Sequence, residues 1–356
     1  MFQTDLKKIF SALKDAGYAI YAPVKTPEGI FIKEIDDEKE TDYSGKFPWD
    51  SWKRFVYPHE EKLFETKAGK FTEVKTKYPK IALWGINVVD LKAIGLTDLL
   101  FKDDPYYIER RKNIFIAGFS PKPLRDYQNF SFKINVDILE HLNYDLFILK
   151  KDGFKLYSAS NVADKILKKA GVAADVLITT EDLVVEDKIM RGLEKLVGTL
   201  SVPMTPLSGV GKSFDHPVWK TLNDRCIACG KCSIACPTCY CFDLIDTARP
   251  LLRQGFGGRA NGAFGRKPTG EATRERVWGD CFYSEFTRIA GNYIFLKNPG
   301  EKLFFWYTHK FSRLPAQTGY PGCVGCRRCY EVCPVFIDIE KTLADLKTDK
   351  AENSTR

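Results

Sequence analysis

The chain has 356 residues and 44% hydrophobic content, enough to bury a sizeable core and to make two domains. It carries 54 Lys/Arg against 46 Asp/Glu, and no apolar run approaches the roughly 18 residues that a bilayer span needs. The opening Met1-Phe-Gln-Thr-Asp-Leu-Lys-Lys lacks the basic-then-apolar layout of a secretory signal, so a soluble, cytoplasmic protein is the expectation.

Leu6, Ile9, Phe10 and Leu13 fall at i, i+3, i+4 and i+7, which predicts a helix that Gly17 stops. Short β-like runs follow at Tyr18–Val24 and Gly29–Ile35, and residues 36–80 read as charged, aromatic and irregular. Lys80–Ile86 reads as a buried strand feeding a short helix at Val88–Ile94, and Asn113–Phe119 as another such strand. Tyr144–Leu149, then Lys151-Asp-Gly153, then Phe154–Tyr157 predict a hairpin. Helical patterns occupy 161–170 and 181–197. The expected class is α+β. A mixed α/β domain without cysteines (1–200) and a linker (201–214) lead to a ferredoxin-like domain (215–356) with a long insertion between its cysteine motifs.

All eleven cysteines lie between Cys226 and Cys333. An odd number, short clustered spacings and no export signal point to metal chemistry rather than disulfides. Cys226-Ile-Ala-Cys229-Gly-Lys-Cys232-Ser-Ile-Ala-Cys236-Pro237 and Cys323-Val-Gly-Cys326-Arg-Arg-Cys329-Tyr-Glu-Val-Cys333-Pro334 both match C-x₂-C-x₂-C-x₃-C-P. Three thiolates two residues apart wrap a loop around three irons of one cubane. The fourth cysteine starts a helix pointing away and reaches the other cluster, and the proline after it fixes φ where no N–H is needed. Two [4Fe–4S] clusters are therefore expected. Cys226, Cys229, Cys232 and Cys333 would hold one, and Cys323, Cys326, Cys329 and Cys236 the other. The competing reading is a pair of structural zinc sites, which gives no reason for a third cysteine at the next two-residue step or for Cys-Pro.

The run Cys226–Cys241, CIACGKCSIACPTCYC, followed by Trp278-Gly-Asp-Cys281-Phe and CVGCRRCYEVCP, resembles one family. It is that of the cytoplasmic [NiFe]-hydrogenase (sulfhydrogenase) beta subunits and the anaerobic sulfite reductase A subunits. Asp215-His-Pro-Val-Trp219, Tyr21-Ala-Pro-Val-Lys25, Asp90 and Asp104-Pro-Tyr-Tyr-Ile-Glu-Arg-Arg111 also look familial. The resemblance implies an electron-transfer subunit in a hetero-oligomer, serving a catalytic redox subunit and a flavoprotein. A sulfite reductase assembly is the alternative within the family. A structural or nucleic-acid-interacting protein with stabilising clusters is the alternative outside it. Family members often hold a further cluster in the amino-terminal domain, whereas this chain reads Asn87-Val-Val-Asp90, Ser120-Pro121 and Asn129-Phe-Ser-Phe132 there, with no cysteine.

Cys239, Cys241 and Cys281 remain. They read as packed thiols, as a third metal site completed by another donor such as His309, or as a redox-labile Cys239/Cys241 pair. Residues 201–356 hold 22 Lys/Arg against 15 Asp/Glu, but two oxidised cubanes of about −2 each would offset part of that surplus. Arg249–Arg276 has seven basic residues against two acids, a solvated loop or a docking site for an acidic partner; its sparse aromatics make nucleic acid a poor fit. Arg327 and Arg328, inside the second motif, are expected to raise the potential of their cluster. Ser208–Ser213 lacks the first glycine and the strand of a phosphate loop, and Gly255-Phe-Gly257-Gly258 is no dinucleotide fingerprint. His59, His141, His216 and His309 read as caps or core residues, so no catalytic residue is expected.

Overall fold

A computed structural model describes residues 3–67, 70–121, 142–150, 153–175, 214–250, 268–320 and 322–353. The expected helix at 181–197, the linker at 201–213, most of the Gly255–Gly270 loop, Asn129–Phe132 and His141 lie outside the described residues.

The amino-terminal part is built on a six-stranded sheet. Its strands are β1 (Ala19–Thr26), β2 (Gly29–Glu34), β5 (Ile81–Asn87), β6 (Ile114–Pro121), β7 (Leu146–Lys150) and β8 (Phe154–Ser158), in the order β2-β1-β5-β6-β7-β8. The four inner strands run parallel and each edge strand is antiparallel to its neighbour. Such inner strands are covered on both faces, which is why β5 and β6 read as unbroken apolar runs rather than alternating ones. On one face lie α1 (Gln3–Asp15) and α5 (Asn161–Ala170), which bring Leu6, Ile9, Phe10, Leu13, Ile166 and Leu167 against Trp84 and Phe115. The opposite face carries α3 (Val88–Leu100), capped by the Asn87 side chain. Gly118 lets α3 approach closely, because a Cβ there would meet Leu91 and Phe147 at 2.7 Å. The expected helices at the amino terminus, at Val88–Ile94 and at 161–170, both apolar strands and the 146–158 hairpin pairing are found. Helix α3 runs further than Val88–Ile94, since it is apolar on every side and buried between sheet and neighbour.

Residues 36–80 are not irregular. They hold α2 (Lys53–Val56), β3 (Glu60–Lys67) and β4 (Lys70–Glu73). One of the two partners of β3 is remote. A second, antiparallel sheet runs β4-β3-β10-β9, with β9 (Phe242–Pro250) and β10 (Pro268–Trp278) both drawn from the segment between the cysteine motifs. Buried Arg276 of β10 pairs with Glu61 of β3 and with Asp104, and Glu61 also pairs with Arg110 of α4 (Pro105–Arg111). The core on the α3 side likewise takes in Val324, Tyr240, Trp278 and Cys326.

The cysteine-bearing part packs α6 (Pro217–Arg225), α8 (Pro299–Thr308) and α11 (Ile339–Asn353) around Trp219, Trp306 and Tyr307. Among the described residues no helix is long and apolar enough to cross a membrane.

Candidate iron–sulfur centres

Helix α6 is capped by His216, whose Nδ1 accepts from the Val218 N–H, and it delivers the chain into Cys226. From there the two motifs repeat one backbone conformation. Ala228 and Gly325, each two residues after the first cysteine, have φ of +52° and +73°, and Gly230 and Arg327, four residues after it, have +74° and +59°. The Ala228 and Gly325 N–H groups donate to the sulfurs of Cys226 and Cys323, each at 3.4 Å. Each motif then forms a single helical turn, α7 (Lys231–Ile234) in the first and α10 (Arg328–Glu331) in the second. Backbone donors aimed at sulfur inside a loop that curls around it fit a thiolate-held cluster, because they stabilise negative charge on the ligand.

The thiols form two groups of four. Burial pushes Cys226 and Cys232 up, and both feel neighbouring Cys229 and Cys333. Cys323 is pushed up to about 12 by burial, with Cys236 and Cys326 beside it; Cys329 rises for the same reason, with Cys323, Cys326 and Cys236 as neighbours. The last cysteine of each motif thus lies within electrostatic reach of cysteines of the other motif, and so does Cys232 of Cys329.

The two groups differ in surroundings. Cys229 is exposed, with exposed Ile227, Tyr283 and Phe336 nearby, and Arg225 ties the Phe336 loop down through its carbonyl. Cys236 and Cys323 are buried at the junction with the amino-terminal part. A cavity of about 430 Å³, lined by Ile30, Phe47, Pro48, Trp49 and Val332, reaches Cys326.

Two buried lysines flank the Cys236–Cys239 turn. Helix α8 continues through a π-helical turn, His309–Arg313, that buries Lys310. Its ammonium lies 3.2 Å from Cys236 Sγ and 3.7 Å from Cys239 Sγ, and donates to Thr238 Oγ1 at 3.0 Å and Gly322 O at 2.9 Å. From the other side Lys53 donates to the carbonyls of Ile234 and Cys239, both at 3.2 Å, and lies over the Trp278 ring. Cys236 is held well below the usual thiol value, first by a hydrogen bond from Cys239 and then, against burial, by Lys310. Neither lysine was picked out from the sequence. The available signal was a lone Lys in the apolar helical run Phe304-Phe-Trp-Tyr-Thr-His-Lys-Phe311.

The two motif arginines are each held by carboxylates. Arg328 is buried and bound in bidentate fashion by Asp90, at 2.6 and 2.8 Å, and it donates to Pro48 O. Arg327 pairs with Asp338 and Glu340. Arg328 also interacts with the Cys326 thiol, which it pulls down against the effect of burial. Asp90 is the amino-terminal half of an ion pair between the two parts of the chain.

Cys239, Cys241 and Cys281 share the lining of one closed cavity of about 20 Å³ with His309 and Lys310. Burial holds Cys241 and Cys281 above the ordinary thiol value. Tyr240 OH and His309 Nε2 lie 3.2 Å apart, His309 is lowered to about 4 by burial and by Lys310 and Arg313, and His59 meets the Trp278 edge.

A family described as a 4Fe-4S dicluster domain matches residues 225–337. Over 354 residues the chain is 28% identical to sulfhydrogenase 2 subunit beta of Pyrococcus furiosus, covering 96% of this chain and 95% of the relative. No solved structure matches. The chain thus carries a dicluster domain that takes two [4Fe–4S] clusters. Along nearly its whole length it is similar to that sulfhydrogenase beta subunit.

Proposed function

We propose that this protein is a non-catalytic electron relay in a cytoplasmic hydrogenase-like complex, passing electrons between a catalytic subunit and a flavoprotein or other redox partner. Cys226, Cys229, Cys232 and Cys333 hold one cluster; Cys323, Cys326, Cys329 and Cys236 hold the other. The observation that carries this reading is the crossed grouping of the eight thiols across two conformationally matched loops. Each bound cluster supplies reversible one-electron storage. The chain's own residues keep the two groups adjacent and donate hydrogen bonds to sulfur. Each group also has its own approach: the exposed rim of Ile227, Tyr283 and Phe336 at Cys229, and the Trp49-lined cavity at Cys326. A ligand set saturated by thiolates has no position for a substrate, so the isolated chain should turn over neither hydrogen, sulfite nor nicotinamide.

The test is anaerobic purification followed by iron and sulfide analysis and a dithionite titration. About eight irons and eight sulfides per chain, reversibly reduced, are expected of two cubanes. About four irons, clusters that cannot be reduced reversibly, or substrate turnover by the chain alone would refute the reading.

A further inference from the structure

Lys310 is a buried cation in contact with a motif sulfur, and among the described residues no carboxylate lies within ion-pair reach of it. The two motif arginines, by contrast, are answered by carboxylates. Arg328 has Asp90, and Arg327 has Asp338 and Glu340. The ammonium is fixed by Thr238 Oγ1 and the Gly322 carbonyl, so its third donor has one direction left, toward Cys236 and, more distantly, Cys239. Its helix reaches this point through the π-helical turn, a wider coil found frequently at functional sites.

The two thiol groups are buried to different degrees. The group containing Cys236 and Cys323 is the drier one, whereas the other includes exposed Cys229. A reduced cubane carries one more negative charge than an oxidised one, so a dry setting by itself makes the inner cluster harder to reduce. An uncompensated cation touching one of its sulfurs has the opposite effect, and low polarity strengthens it.

We propose that Lys310 is the positioning residue that sets the potential of the inner cluster, holding it reducible against burial, while leaving the outer cluster untouched. Electrons arriving at the exposed Cys229 side then have an accessible resting place at the junction with the amino-terminal part. This rests on the two-cluster relay proposed above and goes beyond it by assigning the asymmetry between the two centres to one side chain.

The experiment compares the full-length wild-type protein with Lys310→Met and Lys310→Gln, each purified anaerobically, counted for iron and titrated under EPR. In Lys310→Met one of the two midpoint potentials should fall. The reduced-to-oxidised ratio of that cluster at fixed ambient potential should drop at least tenfold, about 59 mV for a one-electron couple, with the other midpoint unchanged. Lys310→Gln, which keeps donors but no charge, should fall in the same direction by less. Unchanged midpoints, equal shifts in both clusters, or loss of about four irons in both variants would overturn the proposal, the last by making Lys310 a support for assembly only. A wild-type chain with fewer than two clusters would instead defeat the relay reading, so the two failures are told apart.

Discussion

Arg328 and Asp90 stand 238 positions apart and meet as a fully enclosed bidentate pair. Neither could remain charged there alone, so each residue sets the other's placement. Removing one partner of such a pair strands a buried charge, at a cost of about 3–5 kcal/mol. Asp90→Ala and Arg328→Met should each destabilise by that amount in chemical denaturation of the cluster-loaded protein. The double variant should lose less than the sum of the two, because no orphaned charge is left. Additive losses would mean the pair is not coupled.

The single-turn helices of the two motifs show how an element can be built twice from different residues. Gly230 and Arg327 occupy the same left-handed position, and the arginine shows that the position tolerates a side chain. What sets Gly230 apart is Asp280, whose Oδ2 lies 2.0 Å from where a Cβ would stand. Gly230→Ala should therefore cost about 2–5 kcal/mol, combining about 1–2 for the backbone with about 1–3 for overpacking. Gly171→Ala, at φ +65° with nothing within 4 Å, should show only the backbone part. Thermal unfolding of both loaded variants measures the difference; equal losses would remove Asp280 from the explanation.

At the scale of the molecule, the cluster-bearing part does not stand by itself. Strand β10 leans on β3, Arg276 on Glu61, Arg328 on Asp90, and the Cys236–Cys239 turn on Lys53. Truncation after residue 200 would strip all four supports and expose two buried arginines. The eight ligand cysteines all lie beyond the cut. Even so, the fragment should lose iron and aggregate under conditions where the full chain keeps about eight irons. A soluble fragment that retained them all would show these contacts to be dispensable.

The eight motif cysteines, the likeness to sulfhydrogenase beta subunits, the amphipathic α1 and the buried runs of β5 and β6 were legible in the sequence, because each is written in local spacing or periodicity. The stretch 36–80 was not, since β3 finds one of its two partners some 200 residues downstream and carries no alternation of its own. The sequence placed two arginines inside the second motif and suggested that they act on the cluster; only the fold showed that Asp90, Asp338 and Glu340 answer them. It likewise offered Lys310 as an ordinary lysine near a helix end. Burial beside Cys236, with no carboxylate in reach, is a property of packing in three dimensions. Spacing along a chain can record which atoms bind iron, but the field around them depends on which charges the tertiary structure brings close and which it cancels.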